Sequence, residues 1–522
     1  MKVRIFAMAL LSASLAVNAQ NIYQMEDYSS SELNGTARYV GMGGAMNALG
    51  ADISLMNSNP AGLGLYRRSD VAGTLSVVTQ PDAQDFNNKS GTHISFDQLG
   101  LVYSMNVDGS TTKFVNLGLS YRKHKNFNRL IGSGSAFDGN QGGPSLSWQM
   151  YDLADFWGPN DGSPSSIKDG KTATPLAHMG HETYLYDVEN DGVYNASANS
   201  YHQAQWGSIQ DFGVSLGFNF SEQFYLGFTL GLYNVDYNSY SEYAERLVDY
   251  TLGPINDQFL LTNRHEVSGT GVDVKAGLIV RPIEENPFRI GVSVASPTYY
   301  SLRSRKHASL VSDLSMSQGD IYDYGYNLDY KYNLYTPWKF NISLGTTFFN
   351  QLAIGAEYEY SDYSASKITY DTGDYDYWGN SDSEKDEAIK AQAEKYLKGV
   401  STFKIGAEWF VDPKLCIRLG YNYVTSSVSK NAFYNQFINS VSLDCATSAA
   451  YMNPSDINRL TVGMGTSLGK FYADIACMFQ FQHGDFYAFS TQQGNPNVNN
   501  DLPSTRVKLD RTQVMLTLGY RF

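Results

Sequence analysis

The 522-residue chain is short of cysteine, of positive charge and of long apolar runs, and each shortage excludes a class of protein. Its three cysteines, Cys416, Cys445 and Cys477, are widely spaced and odd in number, which fits neither a disulfide framework nor a zinc site. The eight histidines show no H-E-x-x-H and no paired spacing, so neither a metal nor another cofactor is expected. Lys and Arg total 38 against 52 Asp and Glu; the net charge of −14 makes nucleic acid a poor partner. After residue 19 no run reaches the ~18 apolar residues that a membrane helix needs. Tyrosine is abundant, at 39 residues; its apolar ring and polar tip suit a boundary between lipid and water.

Residues 1–19 read as a secretory signal peptide. Lys2 and Arg4 form its basic end, Ile5 to Val17 its apolar core and Val17-Asn18-Ala19 its small-residue cleavage site. No Cys follows that site, so no lipid anchor is expected. The mean hydropathy of −0.33 resembles that of a soluble protein. One membrane class shares it, because the strands of a transmembrane β-barrel alternate apolar and polar residues.

That alternation runs through the chain. In the last strand Val514, Leu516, Leu518, Tyr520 and Phe522 share one face, with Thr517, Gly519 and Arg521 on the other. Charges keep to the face away from the bulky apolar residues: Asp273 and Lys275 oppose Val272 and Val274, Lys339 opposes Phe340 and Ile342, and Glu357 and Glu359 oppose Ile354 and Tyr358. Lys404 and Glu408 oppose Phe403, Ile405 and Trp409, and Arg418 opposes Ile417 and Leu419. A cation facing lipid at mid-depth costs roughly 2–4 kcal/mol. Fourteen strands are expected, near 70–79, 93–107, 113–125, 207–220, 224–238, 264–281, 287–300, 335–349, 351–365, 400–411, 414–427, 456–469, 471–487 and 507–522. Short turns and long connections alternate between them, the longest spanning about 126–206. This is the periplasmic-turn and extracellular-loop rhythm of an outer-membrane barrel, and it puts both termini in the periplasm. A helix is expected within Ser383–Gly399, capped by Ser383 and ended by Gly399.

Local motifs point away from catalysis. Gly213-Val214-Ser215-Leu216-Gly217 matches G-x-S-x-G but lies within an alternating strand, with no helix to make a nucleophile elbow. Asp187–Gly192 opens like a calcium loop, yet its twelfth position is Ala198 rather than Glu. No enzyme is expected. Lys404, Glu408 and Arg418 either meet a ligand's polar end inside the lumen or form an ion-pair network there.

Before the first strand lies "GMGGAMNALGADISLMNSNPAGLGLYRRSD", residues 41–70, apolar and irregular. Such backbone is tolerated at membrane depth only inside protein. A fourteen-stranded barrel is wide enough to hold it, so residues 20–69 are expected to plug the lumen of a barrel made by residues 70–522. This stretch resembles the amino-terminal hatch of the FadL/TodX long-chain fatty-acid transporters: a Gly/Ala-rich run, an acidic residue (Asp52) and then Asn59-Pro60-Ala61-Gly62. Similar pieces recur at 289–300, 402–424, 458–470 and in the closing "LGYRF". The resemblance implies an all-β, fourteen-stranded antiparallel transmembrane β-barrel in the outer membrane of a Gram-negative bacterium. It implies passive uptake of a hydrophobic small molecule, with displacement of the hatch and sideways exit into the outer-membrane lipid. Asn59, Pro60, Ala61 and Gly62 carry over as hatch motif. Met46, Leu49, Leu55, Met56, Leu63 and Leu65 are candidate apolar hatch or ligand contacts. Gly118 in the third strand is a candidate kink for the wall opening. The strand ending at Phe522 resembles the signal read by barrel assembly machinery. A second reading is a barrel like the type IX secretion shuttle subunit, whose large loops hold a secreted protein partner without transport.

Overall fold

The computed structural model describes residues 21–522 apart from 108–110, 138–141, 158–166, 169–170, 173, 188–191, 250–252, 316–320, 376–380, 439, 441–444 and 490–499. The expected signal peptide lies outside the described residues, as does most of the Asp187–Gly192 loop. The chain opens with two short helices, α1 (Ile22–Ser29) and α2 (Ala37–Gly41). Fourteen antiparallel strands follow: β1 (Asp70–Thr79), β2 (Thr92–Asn106), β3 (Thr112–Asn126), β4 (Asn195–Phe220), β5 (Phe224–Asp249), β6 (Gly253–Val280), β7 (Arg289–Ala295, resuming over Tyr299–Asp313), β8 (Ile321–Tyr335, resuming over Lys339–Phe348), β9 (Leu352–Asp362), β10 (Gly399–Asp412), β11 (Leu415–Val424), β12 (Ile457–Leu468), β13 (Phe471–Phe481) and β14 (Arg511–Arg521). Each pairs with the next, and β14 pairs with β1 from Asp70↔Arg521 to Thr79↔Thr512, which closes the barrel. Among the described residues no helix is long and apolar enough to cross a membrane.

All fourteen expected strands are present, but β4 to β8 run much further at the long-loop end than alternation indicated. The reason is an inversion of polarity along each strand. In β5, Phe224, Phe228, Leu230 and Leu232 point outward and are 44–50% exposed, forming part of a lipid-facing belt. Above them the outward positions become Asn234, Asp236, Asn238 and Glu242. The inward positions change the other way, from Gly227 and Thr229 to buried Tyr233, Val235, Tyr237 and Leu247. Lipid surrounds the lower part and water the upper, so the apolar face switches sides at about Tyr233. The inward charges of the belt, Asp211, Lys275, Glu357, Lys404, Glu408 and Arg418, are all under 10% exposed.

The long connections fold into a cap. Within it α3 (Leu146–Trp157) and α4 (Pro175–Glu182) pack on the upper parts of β5 to β7 around Met150, Leu153, Leu176, Phe259 and Leu310. Thr174 caps α4, its side chain accepting from Ala177 N at 3.3 Å, with Pro175 in the first turn. Glu245, high on β5 and 1% exposed, accepts from Ser145 Oγ at 2.6 Å and Leu146 N at 2.8 Å at the start of α3; burial pushes its carboxyl up to about 7. The expected helix near 383–399 is α5, Glu387–Tyr396. Asp386, not Ser383, caps it by accepting from Ile389 N, and it ends at Leu397 rather than Gly399. Ser383 is instead held in a short strand against Asp371.

Candidate functional site

Residues 21–69 fill the barrel bore in a series of short, capped turns. Thr36 caps α2 and donates its hydroxyl to Asp52, whose carboxylate caps the next turn by accepting from Ser54 N at 2.9 Å. Asn59 caps the turn Pro60–Leu65, accepting from Ala61 N at 3.2 Å, with Pro60 supplying the fixed first position. The motif Asn59-Pro60-Ala61-Gly62 is thus a self-capping turn. Gly62 lets Leu55 pack closely against that turn: a Cβ would lie 2.5 Å from Leu55 Cδ1 and 3.2 Å from its Cβ.

The wall receives this segment on a girdle of glycines. Every strand from β2 to β12 places a glycine inward at the height of the segment. In register, Gly217, Gly227 and Gly277 adjoin one another, as do Gly345, Gly355, Gly406 and Gly420. Added methyl groups would strike backbone: at Gly227, 2.2 Å from the Pro60 carbonyl; at Gly355, 2.0 Å from the Ala45 oxygen; at Gly406, 2.2 Å from the Met42 oxygen. Close backbone approach is what a mid-strand glycine permits.

Side chains from the wall satisfy the backbone so enclosed. Asn116 donates to Leu63 O at 2.6 Å, Thr229 to Met56 O at 2.8 Å, Arg289 to Leu49 O at 2.8 Å and Thr461 to Gly41 O at 3.1 Å. Glu357 accepts from Asn47 N at 2.6 Å. Arg38 forks onto Glu408 at 3.0 and 2.8 Å, and Arg418 joins Glu408 at 2.8 Å to Asp474 at 2.6 Å. Removing one member of such a buried set leaves an unpaired charge, at a cost of about 3–5 kcal/mol.

Above the segment is a chamber of about 360 Å³. Leu33, Tyr39, Asn57 and Ser58 form its floor, and Tyr451, Met452, Phe486 and Leu509 line it from the outer connections. Its walls mix tyrosines with charge: Tyr233, Tyr237 and Tyr363 beside Arg122, Lys275, Lys339, Glu359 and Lys404. Lys275 donates to Asp273 at 2.7 Å and to the Tyr233 hydroxyl at 2.9 Å, while fully buried Asp211 sits 3.6 Å from Arg122. Lys404 lies between Glu357 at 3.5 Å and Glu359 at 3.2 Å. Helix α1 bounds the chamber, Tyr23 donating to Asn453 Oδ1 at 2.9 Å in the long β11–β12 connection.

On one side the wall is interrupted. Ser296–Thr298 of β7 face Thr336–Trp338 of β8, and the two prolines, Pro297 and Pro337, lie opposite each other between the pairs Ala295↔Lys339 and Tyr299↔Tyr335. Neither has an N–H for the ladder. Thr298 N donates instead to the Thr336 hydroxyl at 2.8 Å, and one backbone bond, from Thr336 N to Thr298 O at 3.1 Å, still crosses the gap. Ser296 and Thr298 border the chamber inside, and Trp338 is 51% exposed outside.

In three dimensions the chain is similar to a FadL homologue of Pseudomonas aeruginosa: TM-score 0.50 and 13% identity, over 94% of this chain and 99% of that one. The fold is that of the FadL-type outer-membrane channels. The monoaromatic hydrocarbon channel CymD aligns with TM-score 0.47 and 12% identity, over 94% of this chain and 98% of its own. The Pseudomonas putida toluene transporter TodX aligns with TM-score 0.47 and 12% identity, over 94% and 99%. No protein-family model and no curated protein matches the chain.

In this FadL-type barrel Asn59, Pro60, Ala61 and Gly62 are buried against Gly227 and Gly277 and do not line the chamber. Met46, Leu49, Leu55, Met56, Leu63 and Leu65 do not line it either, because they fill the space between the segment and its wall. Lys404 lines the chamber, whereas Glu408 and Arg418 lie below it in the network with Arg38 and Asp474. Gly118 is no kink: β3 pairs through it without a break, to Val102 and to Ser215, and it makes room for Met56 and Leu63. Ser215 of the G-x-S-x-G match shares a hydrogen bond with Thr229, which in turn donates to the segment. Phe522 lies at the short-turn end, its N–H on Ser69 O. Asn21 lines the chamber and hydrogen-bonds Tyr434 in the long β11–β12 connection, on the far side of the segment from Phe522. Chamber residues missed in the sequence include Glu26, Asp27 and Lys125, joined by the Lys125–Asp27 ion pair. The readable trace of the girdle was the recurring apolar-Gly-apolar triplet at mid-strand.

Proposed function

We propose that the protein is a passive outer-membrane channel for hydrophobic compounds with a polar end, long-chain fatty acids among them. Residues 20–69 act as its hatch, and cargo leaves sideways through the wall. The observation that carries this reading is a bore filled from wall to wall beneath a chamber lined by tyrosines and charge. Such an arrangement suits a cargo that avoids water better than one that needs an aqueous pore. The charges beside the chamber favour an amphipath over a plain hydrocarbon: the Lys339 ammonium, beside Glu359 and Asp273, makes no side-chain hydrogen bond among the described residues and can meet a carboxylate, while the tyrosines suit an acyl chain. The facing prolines of β7 and β8 support that sector as the sideways exit. The short-turn end is then periplasmic, and the closing strand at Phe522 is the contact for barrel assembly machinery.

Uptake of labelled oleate by cells with and without the gene, repeated with Asn59→Ala and Pro60→Ala, tests the reading. Gene-dependent uptake that falls in both variants supports it. Equal uptake in all strains removes fatty acid as cargo. A second reading, a barrel whose loops hold a secreted protein partner, is supported by the size of the outer cap and its own apolar core. Co-purification of a secreted protein without any uptake favours that alternative.

A further inference from the structure

Just beyond the lipid-facing belt, the outward faces of β6, β7 and β8 carry cations side by side. In the strand register Arg305 lies between Glu266 and Asp329, and Arg303 lies between Ser268 and Lys331. Arg264 completes one edge of the patch opposite His307, while Lys367, over the Tyr335 ring at 4.4 Å, lies below it at the level of Tyr299. Four cations, Arg264, Arg303, Arg305 and Lys331, thus share the patch with two carboxylates, in a chain that has 38 Lys and Arg against 52 Asp and Glu. The carboxylates do not silence it. Asp329 accepts from Arg303 Nε at 2.7 Å and lies 3.8 Å from Arg305, so one anion holds two guanidinium groups together. Arg264 pairs with Glu266 at 2.9 Å, and Lys331 has no ion pair among the described residues. The Arg303 and Arg305 side chains are 45% and 53% exposed.

The height of the patch identifies what it meets. Tyr299, Tyr335 and Trp338 form an aromatic edge to the belt, with exposed Val272, Val274 and Val292 below. Arg303 is four residues beyond Tyr299, roughly 13 Å along the strand and about 10 Å in height at the usual tilt. That is the level of lipid headgroups, not of the acyl chains and not of open water.

We propose that this patch docks the phosphate groups of outer-leaflet lipid. A guanidinium presents a fork of donors that matches phosphate oxygens, and two forks held by one carboxylate are preorganised for that contact. The proposal rests on the membrane placement of the barrel and not on the transport reading. The patch also stands directly above the facing prolines, so a docked lipid would flank that interruption of the wall.

The test uses the full-length protein in detergent with lipid A carrying two phosphates as the probe, read by native mass spectrometry. Retention of the lipid by the unaltered protein, lowered at least tenfold in Arg303→Gln/Arg305→Gln/Lys331→Gln, is the expected result. The unaltered protein should show the same loss with dephosphorylated lipid A, an arm that needs no variant to fold. Equal retention of the dephosphorylated lipid, or by the triple variant, overturns the proposal. So does full displacement by inorganic phosphate at the same concentration, which would make the patch a site for free anions.

Discussion

A single added methyl group at Gly227 should open the bore. Its carbon would lie 2.2 Å from both the carbonyl carbon and the oxygen of Pro60 and 2.4 Å from Ala61 N, all of them backbone atoms. Ordinary contact begins near 3.4 Å, so the two surfaces must part by about 1.2 Å. The strand cannot give, because β5 is paired through Gly227 to Gly217 on one side and Gly277 on the other. The segment must move instead. Overpacking of this kind costs about 1–3 kcal/mol, and the shift also strains the bond from Thr229 to Met56 O, worth about 1 kcal/mol. The control is Gly73→Ala in β1, where the nearest atom to the new methyl is Leu99 Cδ1 at 3.7 Å and no segment atom is close. Barrels reconstituted in planar bilayers report the outcome as ion conductance. Gly227→Ala and Gly406→Ala should conduct more than the unaltered barrel, and Gly73→Ala should not. If both girdle variants fold, by resistance to protease and heat, yet conduct no more than the parent, the segment does not close the bore.

Four further outcomes are expected. Glu408→Ala should lower stability by about 3–5 kcal/mol in denaturant titrations, since it takes from Arg38 its ion-pair partner and leaves it beside Arg418, which keeps only Asp474. Asn59→Ala removes a cap worth about 1 kcal/mol, so limited proteolysis should cut within 41–69 faster, with the barrel left intact. The Glu245 carboxyl titrates at about 7 in the folded cap, above its ordinary range. The protonated form is therefore the one the fold favours: its stabilisation is full at acid pH and is lost as pH rises through about 7. Amide exchange across Ser145–Trp157 should quicken over that rise, and Glu245→Gln should flatten the dependence. Replacing Pro297 and Pro337 together with Val should let the β7–β8 ladder close; oleate uptake should then fall, and unchanged uptake would move the exit elsewhere.

The strand cores were legible because lipid enforces one rule across the belt: bulky apolar residues out, charge in. Above the belt the rule reverses, and Tyr237 or Leu302 pointing inward beside Asp236 or Arg303 pointing outward reads as noise to anyone still applying the lower rule. The start of α5 was misplaced for a local reason, since Ser383 is a good cap in sequence but is already committed to pairing with Asp371. The self-capping turn at Asn59 was legible because its partners are two residues away. The chamber was not, because its charges come from many strands and from α1, and nothing in the spacing of Asp27 and Lys125 reveals that they meet. Gly118 shows the limit most plainly. Sequence marks it as a place where the backbone could bend, while its actual neighbours, Met56 and Leu63, are about sixty residues away along the chain.

The glycine girdle also bears on how such a barrel is made. Ala37 is tied to Thr517 and Arg38 to Glu408, while Pro60 rests on Gly227, so the segment made first touches strands made throughout synthesis. Contacts this distant in sequence pay their loop-closure entropy late. Strands that close around the segment gain these contacts as they are laid down; residues 21–69 would then act as a former on which the barrel is wound, with the last seam, β14 to β1, closing over a filling already in place.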